Sequence, residues 1–173
     1  MAAGKNISSD KRGFTFVEII IVIAMLGIFA VLTVLYMGHL RDINVKRTVN
    51  EVDTALDKLQ VRAMSRAKTP YMYIYHLDDG CYMKVLEEKI TVFDSSKFDK
   101  NGTHISADAI KIYRNDETEA NKVDGDNFIT IVYNKSSEFN YEAGATNVST
   151  IIFKGNSTYK LRLIKETGKH IAE

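Results

Sequence analysis

Residues 14 to 37 leave this chain few options. The run FTFVEIIIVIAMLGIFAVLTVLYM carries one charged side chain, Glu18, and the 19 residues from Ile19 to Met37 have no formal charge. As helix, those residues extend about 28 Å, enough to cross the hydrocarbon core of a bilayer. A segment apolar on every side is not the amphipathic face of a soluble domain; it needs lipid or other apolar helices around it. An ordinary secretory signal has a shorter apolar region and ends in a small-x-small cleavage site. Here the run passes into a charged, helix-compatible stretch, and no proline occurs before Pro70. Lys5, Lys11 and Arg12 against Asp10 give the preceding residues a formal charge of +2, which keeps that end cytoplasmic and places the remainder outside.

A plain anchor does not explain Lys11-Arg12-Gly13-Phe14-Thr15-Phe16-Val17-Glu18. This stretch resembles the amino terminus of the type IV pilin family, including the pseudopilins of type II secretion and competence systems. Those proteins share a basic leader ending in glycine, then phenylalanine, then an apolar helix with glutamate at its fifth residue. Gly13, Phe14 and Glu18 stand in those places, and Thr15 and Gly27 also fit the pattern.

The resemblance implies a role for each matched residue. A membrane-embedded prepilin peptidase would cut between Gly13 and Phe14 and then methylate the new amine of Phe14. Glycine before the cut lets the backbone approach an intramembrane protease closely. Lys11 and Arg12 would hold the precursor in orientation until cleavage. Glu18 would be the subunit-assembly contact, meeting the Phe14 amine of an incoming subunit. A carboxylate at mid-bilayer costs on the order of 2.5 to 3.5 kcal/mol. The amine at 4 Å returns roughly 4 kcal/mol at an effective dielectric of about 20, before desolvation is counted. Burial of both ions makes the net gain small and shifts the benefit toward register.

Two departures from the family pattern refine the expectation. Many pilins have proline at the place of Leu35, and many major pilins staple a carboxy-terminal loop with a disulfide, which the single Cys81 forbids. Both shift weight toward a minor pilin, a pseudopilin or a Gram-positive pilin. The tail IKETGKHIAE loosely resembles the final strand-turn-strand of small minor pseudopilins.

Beyond the span, Val45, Val49, Val52, Leu56, Leu59 and Ala63 are spaced 4, 3, 4, 3 and 4, one apolar stripe at helical period. The spacing predicts that the helix continues to about Ala67 and docks Val45, Val49, Val52, Leu56 and Leu59 onto a globular domain. A coiled coil is the weaker reading, because fewer than three full heptads are present. Charged residues hold most other positions with no interleaved aromatics, as on a solvated face.

Pro70 marks a change of period. YMYIYHLDDGCYMKVL predicts strands at 71–77 and 81–86 around Asp78-Asp79-Gly80, with the Asp-Gly pair as the hairpin turn. Further strands are expected at 89–93, 110–114, 128–133, 150–154 and 158–164, the last two flanking Gly155-Asn156-Ser157. The fold class is therefore α+β: a long amino-terminal helix packed on a carboxy-terminal antiparallel domain of one sheet or two layered sheets. The expected organisation is a basic leader at 1–13, removed on maturation; an apolar membrane or filament-core helix at 14–37; its amphipathic continuation at 38–68; and a β-rich head at 69–173.

No catalytic constellation, cofactor motif or metal-ligand spacing is legible. Cys81 reads as a small buried apolar residue. His39, His76, His104 and His170 are scattered and read as ordinary surface or core residues. The acidic stretch 114–127 offers oxygen ligands for calcium but lacks EF-hand spacing, so a solvated loop is favoured. Lys plus Arg is 23 against 22 for Asp plus Glu, so no charge field marks nucleic acid as a direct ligand. The resemblance implies a structural subunit rather than an enzyme, with other pilin subunits, prepilin peptidase and a pilus assembly platform as partners. It implies a single-pass precursor in the cytoplasmic membrane, and then a pilus or pseudopilus at or beyond the cell surface. The alternative is an anchored extracellular binding or adhesin domain that does not polymerise.

Overall fold

The structure, a computed structural model, describes residues 15–140 and 147–173, without the side chains of 34–41. The expected leader and Phe14 lie outside the described residues. Among the described residues one α-helix, α1, spans Phe16–Ser65 and is followed by eight strands, with a short 3-10 turn at Glu119–Asn121 between the fourth and fifth: β1 Tyr71–Leu77, β2 Gly80–Leu86, β3 Thr103–Ala107, β4 Lys111–Arg114, β5 Ile129–Val132, β6 Thr150–Lys154, β7 Thr158–Ile164 and β8 Lys169–Ala172. The fold is α+β with a long amino-terminal helix. The chain divides into two compact units, one ending at Gly38 and the other, the head, running from His39 to Glu173.

Within the head the strands form two antiparallel four-stranded sheets, ordered β3-β2-β1-β5 and β4-β6-β7-β8. Each strand of β1, β2 and β7 uses its two-residue alternation to sort side chains between faces. From β1, Met72 and Ile74 join the core that contains Val45, Val49, Val52, Leu56, Leu59 and Ala63 of α1. Cys81 and Met83 of β2 join it, as do Ile112, Ile151, Phe153, Leu161 and Leu163 of the second sheet. The six helix residues are each 3 % exposed or less. Outward alternation on β7 leaves Lys160 and Arg162 in solvent while Leu161 and Leu163 are buried.

The opposite face of the first sheet carries a second, aromatic core. Tyr73, Tyr75, Tyr82, Ile90, Phe98 and Phe128 cluster there, with Phe98 5.4 Å from the Tyr73 ring and 4.8 Å from the Tyr75 ring. The segment between β2 and β3 covers this face, and its backbone is tied down by the tyrosine hydroxyls. Tyr73 Oη donates to the Glu88 carbonyl at 2.9 Å and accepts from the Ile90 amide at 2.8 Å, while Tyr75 Oη donates to the Asp99 carbonyl at 2.7 Å.

This cover corrects the strand expected at 89–93. Those residues form a loop, because the Ile90 amide is spent on Tyr73 rather than on a neighbouring strand, and Val92 is 75 % exposed. The edge place is taken instead by β3, which the sequence reading missed. The first hairpin also differs from expectation. Leu77 pairs with Gly80, so Asp78-Asp79 form the two-residue loop and Gly80 opens β2 at φ +137°. A Cβ there would collide with the Ser106 carbonyl of β3, so Gly80 serves close strand approach rather than the turn. In the second hairpin Lys154 pairs with Thr158 across Gly155-Asn156-Ser157. A Cβ on Gly155 would stand 2.5 Å from Val45 Cγ2, so the missing side chain lets this hairpin close onto α1.

Candidate functional site

The described part of the candidate site is the first turn of α1. Thr15 is its N-cap residue and Glu18 the third helical residue. The Glu18 carboxylate accepts from the Thr15 amide at 2.7 Å and from the Thr15 hydroxyl at 2.9 Å, while the Glu18 amide donates back to Thr15 Oγ1 at 3.3 Å. This reciprocal pairing is a capping box, which satisfies amides that a helix start otherwise leaves open. It follows from the spacing Thr15-x-x-Glu18, the sequence pattern of such a box. Lys11, Arg12, Gly13 and Phe14 lie outside the described residues, so only Glu18 of the expected amino-terminal site has a described geometry.

Including that turn, Phe16–Thr33 is an 18-residue window of mean hydropathy 2.7 with none of it buried within the chain. Glu18 is its one formal charge. Phe16, Ile23, Leu26, Phe29 and Val31 are each at least 61 % exposed. A helix of this length and composition fits a membrane-anchored precursor.

The remaining candidates sit in the head, where structural contacts account for them. Cys81 is 1 % exposed, and burial pushes its thiol up to about 11, so little nucleophilic thiolate is available at neutral pH. His76 lies 3.1 Å from Asp108 Oδ1 and 3.6 Å from Asp124 Oδ1. Lys111 and Lys122 hold those two carboxyls below the usual range by direct hydrogen bonds. His170 Nε2 lies 3.3 Å from both Asp53 and Asp57, fastening β8 to α1. In the acidic stretch, Asp116 accepts from the Thr118 hydroxyl and Asn121, Glu117 pairs with Lys154, and Asp124 pairs with Lys122. Among the described residues no group of three or more His, Cys, Asp or Glu side chains is arranged to hold a metal ion.

Comparison with known proteins bears on the amino terminus alone. Residues 8–34 match the prokaryotic N-terminal methylation motif. That motif is the class III signal peptide of type IV pilins and pseudopilins, and it points to a structural subunit rather than an enzyme. No curated protein and no solved structure matches the chain. The motif and the apolar helix together support a type IV pilin- or pseudopilin-like precursor, with pilus subunits and prepilin peptidase as its general class of partners.

Proposed function

We propose that this chain is a pilin-like structural subunit that works by polymerisation, cut after Gly13, methylated on Phe14 and assembled through α1. The observation that carries the proposal is the methylation motif at 8–34, lying across the start of a capped apolar helix. On this reading residues 1–13 are the removed leader, 14–37 the membrane and filament-core segment, 38–68 its continuation into the head, and 69–173 the β-rich head. Lys11 and Arg12 orient the precursor. Glu18 then acts twice: Thr15 occupies it in the single chain, and the Phe14 amine of the next subunit competes for it during assembly. Desolvation sets the balance, since a buried carboxylate gains most from a cationic partner. The assembled product is a minor pilin, a pseudopilin or a Gram-positive pilin at or beyond the cell surface.

The mature chain should begin at methylated Phe14 and carry a formal charge of −1, from 20 basic against 21 acidic side chains once Lys5, Asp10, Lys11 and Arg12 are lost. A mass spectrum of the amino terminus reads this directly. Replacing Gly13 with a bulky residue should leave uncut precursor in the membrane; normal maturation of that variant sinks the proposal.

One observation favours the second reading, an anchored binding domain that never assembles. Glu18 already has partners within its own chain at 2.7 and 2.9 Å, and so needs no neighbour to explain it. Correct cleavage with no subunit in sheared filaments would select that reading.

A further inference from the structure

Two exposed charged features of the head, one cationic and one acidic, are only partly paired within the chain. Along the β2–β3 side of α1 runs a groove of about 790 Å³, lined by Leu59, Met83 and Val85 and by the cationic Lys46, Arg47, Lys58 and Arg62. Arg47 is held by Glu51 at 2.8 Å, and Lys46 lies 5.7 Å from the centre of the Tyr159 ring. Lys58 and Arg62 are exposed and make no ion pair among the described residues. Beside them Val61 and Met64 are 66 and 56 % exposed. Unpaired cations set among exposed apolar side chains mark an interaction surface rather than a merely solvated one.

The complementary feature is the segment between β4 and β5. Glu119 is 84 % exposed and reaches only Lys122, at 3.8 Å. Asp126 is exposed and makes no ion pair among the described residues. This segment is fixed at the Val45 end of the head: Glu117 pairs at 2.6 Å with Lys154, the residue before Gly155, which abuts Val45. Arg62 lies about 25 Å farther along the helix, at 1.5 Å per residue. In one copy, therefore, the exposed carboxylates of Glu119 and Asp126 and the unpaired cations Lys58 and Arg62 sit at opposite ends of the head.

We propose that the groove is a docking surface for a second copy of this chain, occupied by that copy's 115–126 segment. Glu119 and Asp126 of one copy meet Lys58 and Arg62 of the next, and the exposed Val61 and Met64 are covered in the contact. Because the two patches differ, the contact is heterologous and does not close after two copies; repeated head to tail with a rotation that does not close a ring, it gives an open polymer. Opposed charges set the register and exclude the reversed arrangement. This inference rests on the polymerisation reading and names the head contact that accompanies it.

The test uses the full chain expressed in its membrane, with two independent readouts. Lys58→Glu with Arg62→Glu should lower the fraction of subunit in sheared filaments about tenfold, as should Glu119→Lys with Asp126→Lys. Combining both reversals should restore most of that fraction. Separately, Val61→Cys with Asp126→Cys should give a ladder of disulfide-linked multimers on oxidation, absent from either single variant; native Cys81 is buried. If filaments form but neither reversal matters and no ladder appears, the docking surface is wrong. Loss with the groove reversal alone, unrescued and without a ladder, also overturns it, because the groove then has another occupant. A ladder without filaments upholds the contact and removes the filament reading. Neither ladder nor filaments removes both.

Discussion

The two halves of α1 differ in apolar content and are opposite in fate: 15 of the 18 residues of Phe16–Thr33 are hydrophobic, against 11 of the 26 in 40–65. In Phe16–Thr33 every large side chain is exposed. In the half beyond His39, Val45, Val52 and Leu56 are 0 % exposed. The halves differ in hydropathy and also in period. The second half concentrates its apolar residues at spacings of 4 and 3, so one stripe meets two sheets while charge occupies the other side. The first half is apolar all round, so no single sheet could cover it, and it is suited to lipid or to other copies. One backbone thus presents two interfaces of different kinds, and substitutions in each half should report through different measurements.

The largest expected separation comes from truncating leucines. Leu56→Ala or Leu59→Ala should destabilise the head by about 2 to 5 kcal/mol, since both side chains are fully buried. Leu26→Ala, at a residue 61 % exposed, should leave head stability unchanged. Denaturant unfolding of a fragment beginning at His39, and of the full chain in detergent micelles, measures both. Equal effects in the two halves would break the comparison. Gly155→Ala probes the same boundary from the sheet side. Its new methyl must push against Val45, so overpacking of about 1 to 3 kcal/mol is expected. A silent Gly155→Ala would mean that the hairpin gives way to the helix without cost.

Alkaline titration should sharpen the contrast without mutation. Desolvation by burial pushes Tyr73 and Tyr75 up to about 12, and it raises Tyr133 as well. Each folded-state value lies above the ordinary one near 10, so the stability these groups confer is complete below about pH 10 and is lost as pH rises toward 12. Phe16–Thr33 contains no tyrosine. Amide hydrogen exchange in micelles should therefore show the head opening in that window while the apolar helix stays protected. Tyr75→Phe should weaken the pH dependence. Loss of protection in both halves together would show that they unfold as one.

How much of this was legible in the sequence follows from the range of each interaction. The stripe from Val45 to Ala63 and the hairpin pairing of β1 with β2 are set by local period and short turns, and both could be read directly. β3 could not. THISA is short, its burial is confined to Ile105 and Ser106, and it is a strand only because β2 pairs with it across a long loop. The reverse error at 89–93 has the same source. Ile90, Val92 and Phe93 favour a strand, but the Tyr73 hydroxyl captures the Ile90 amide from a distant element. Tyrosines at 71, 73 and 75, read with Phe93, Phe98 and Phe128, were the available signal for a second, aromatic core. At the candidate site, basic residues, glycine, phenylalanine and glutamate in register were legible. The Thr15-x-x-Glu18 cap is equally local, a spacing of three residues.

That cap supplies the smallest expected effect and the most informative one. Thr15→Ala removes the hydroxyl that Glu18 uses and should cost the first turn of α1 about 1 kcal/mol. The carboxylate and its charge remain, so on the assembly reading filament incorporation should change little. Glu18→Gln is the converse. Glutamine serves in a capping box as glutamate does, so the helix start should stay intact, but no anion is left for a Phe14 amine. Cleavage should proceed in both variants, because Gly13, Phe14 and the basic leader are untouched. Exchange of the backbone amides of residues 15 and 18, the two that the cap bonds, reads the cap; the fraction of cleaved subunit in sheared filaments reads assembly. If Glu18 works through its charge, Glu18→Gln lowers incorporation while the amides stay protected, and Thr15→Ala exposes the amides while incorporation holds. If Glu18 works only as a cap, Thr15→Ala is the damaging change and Glu18→Gln is silent. The second outcome would move the first turn of α1 from a subunit contact to a helix terminus, and leave the head to carry specificity alone.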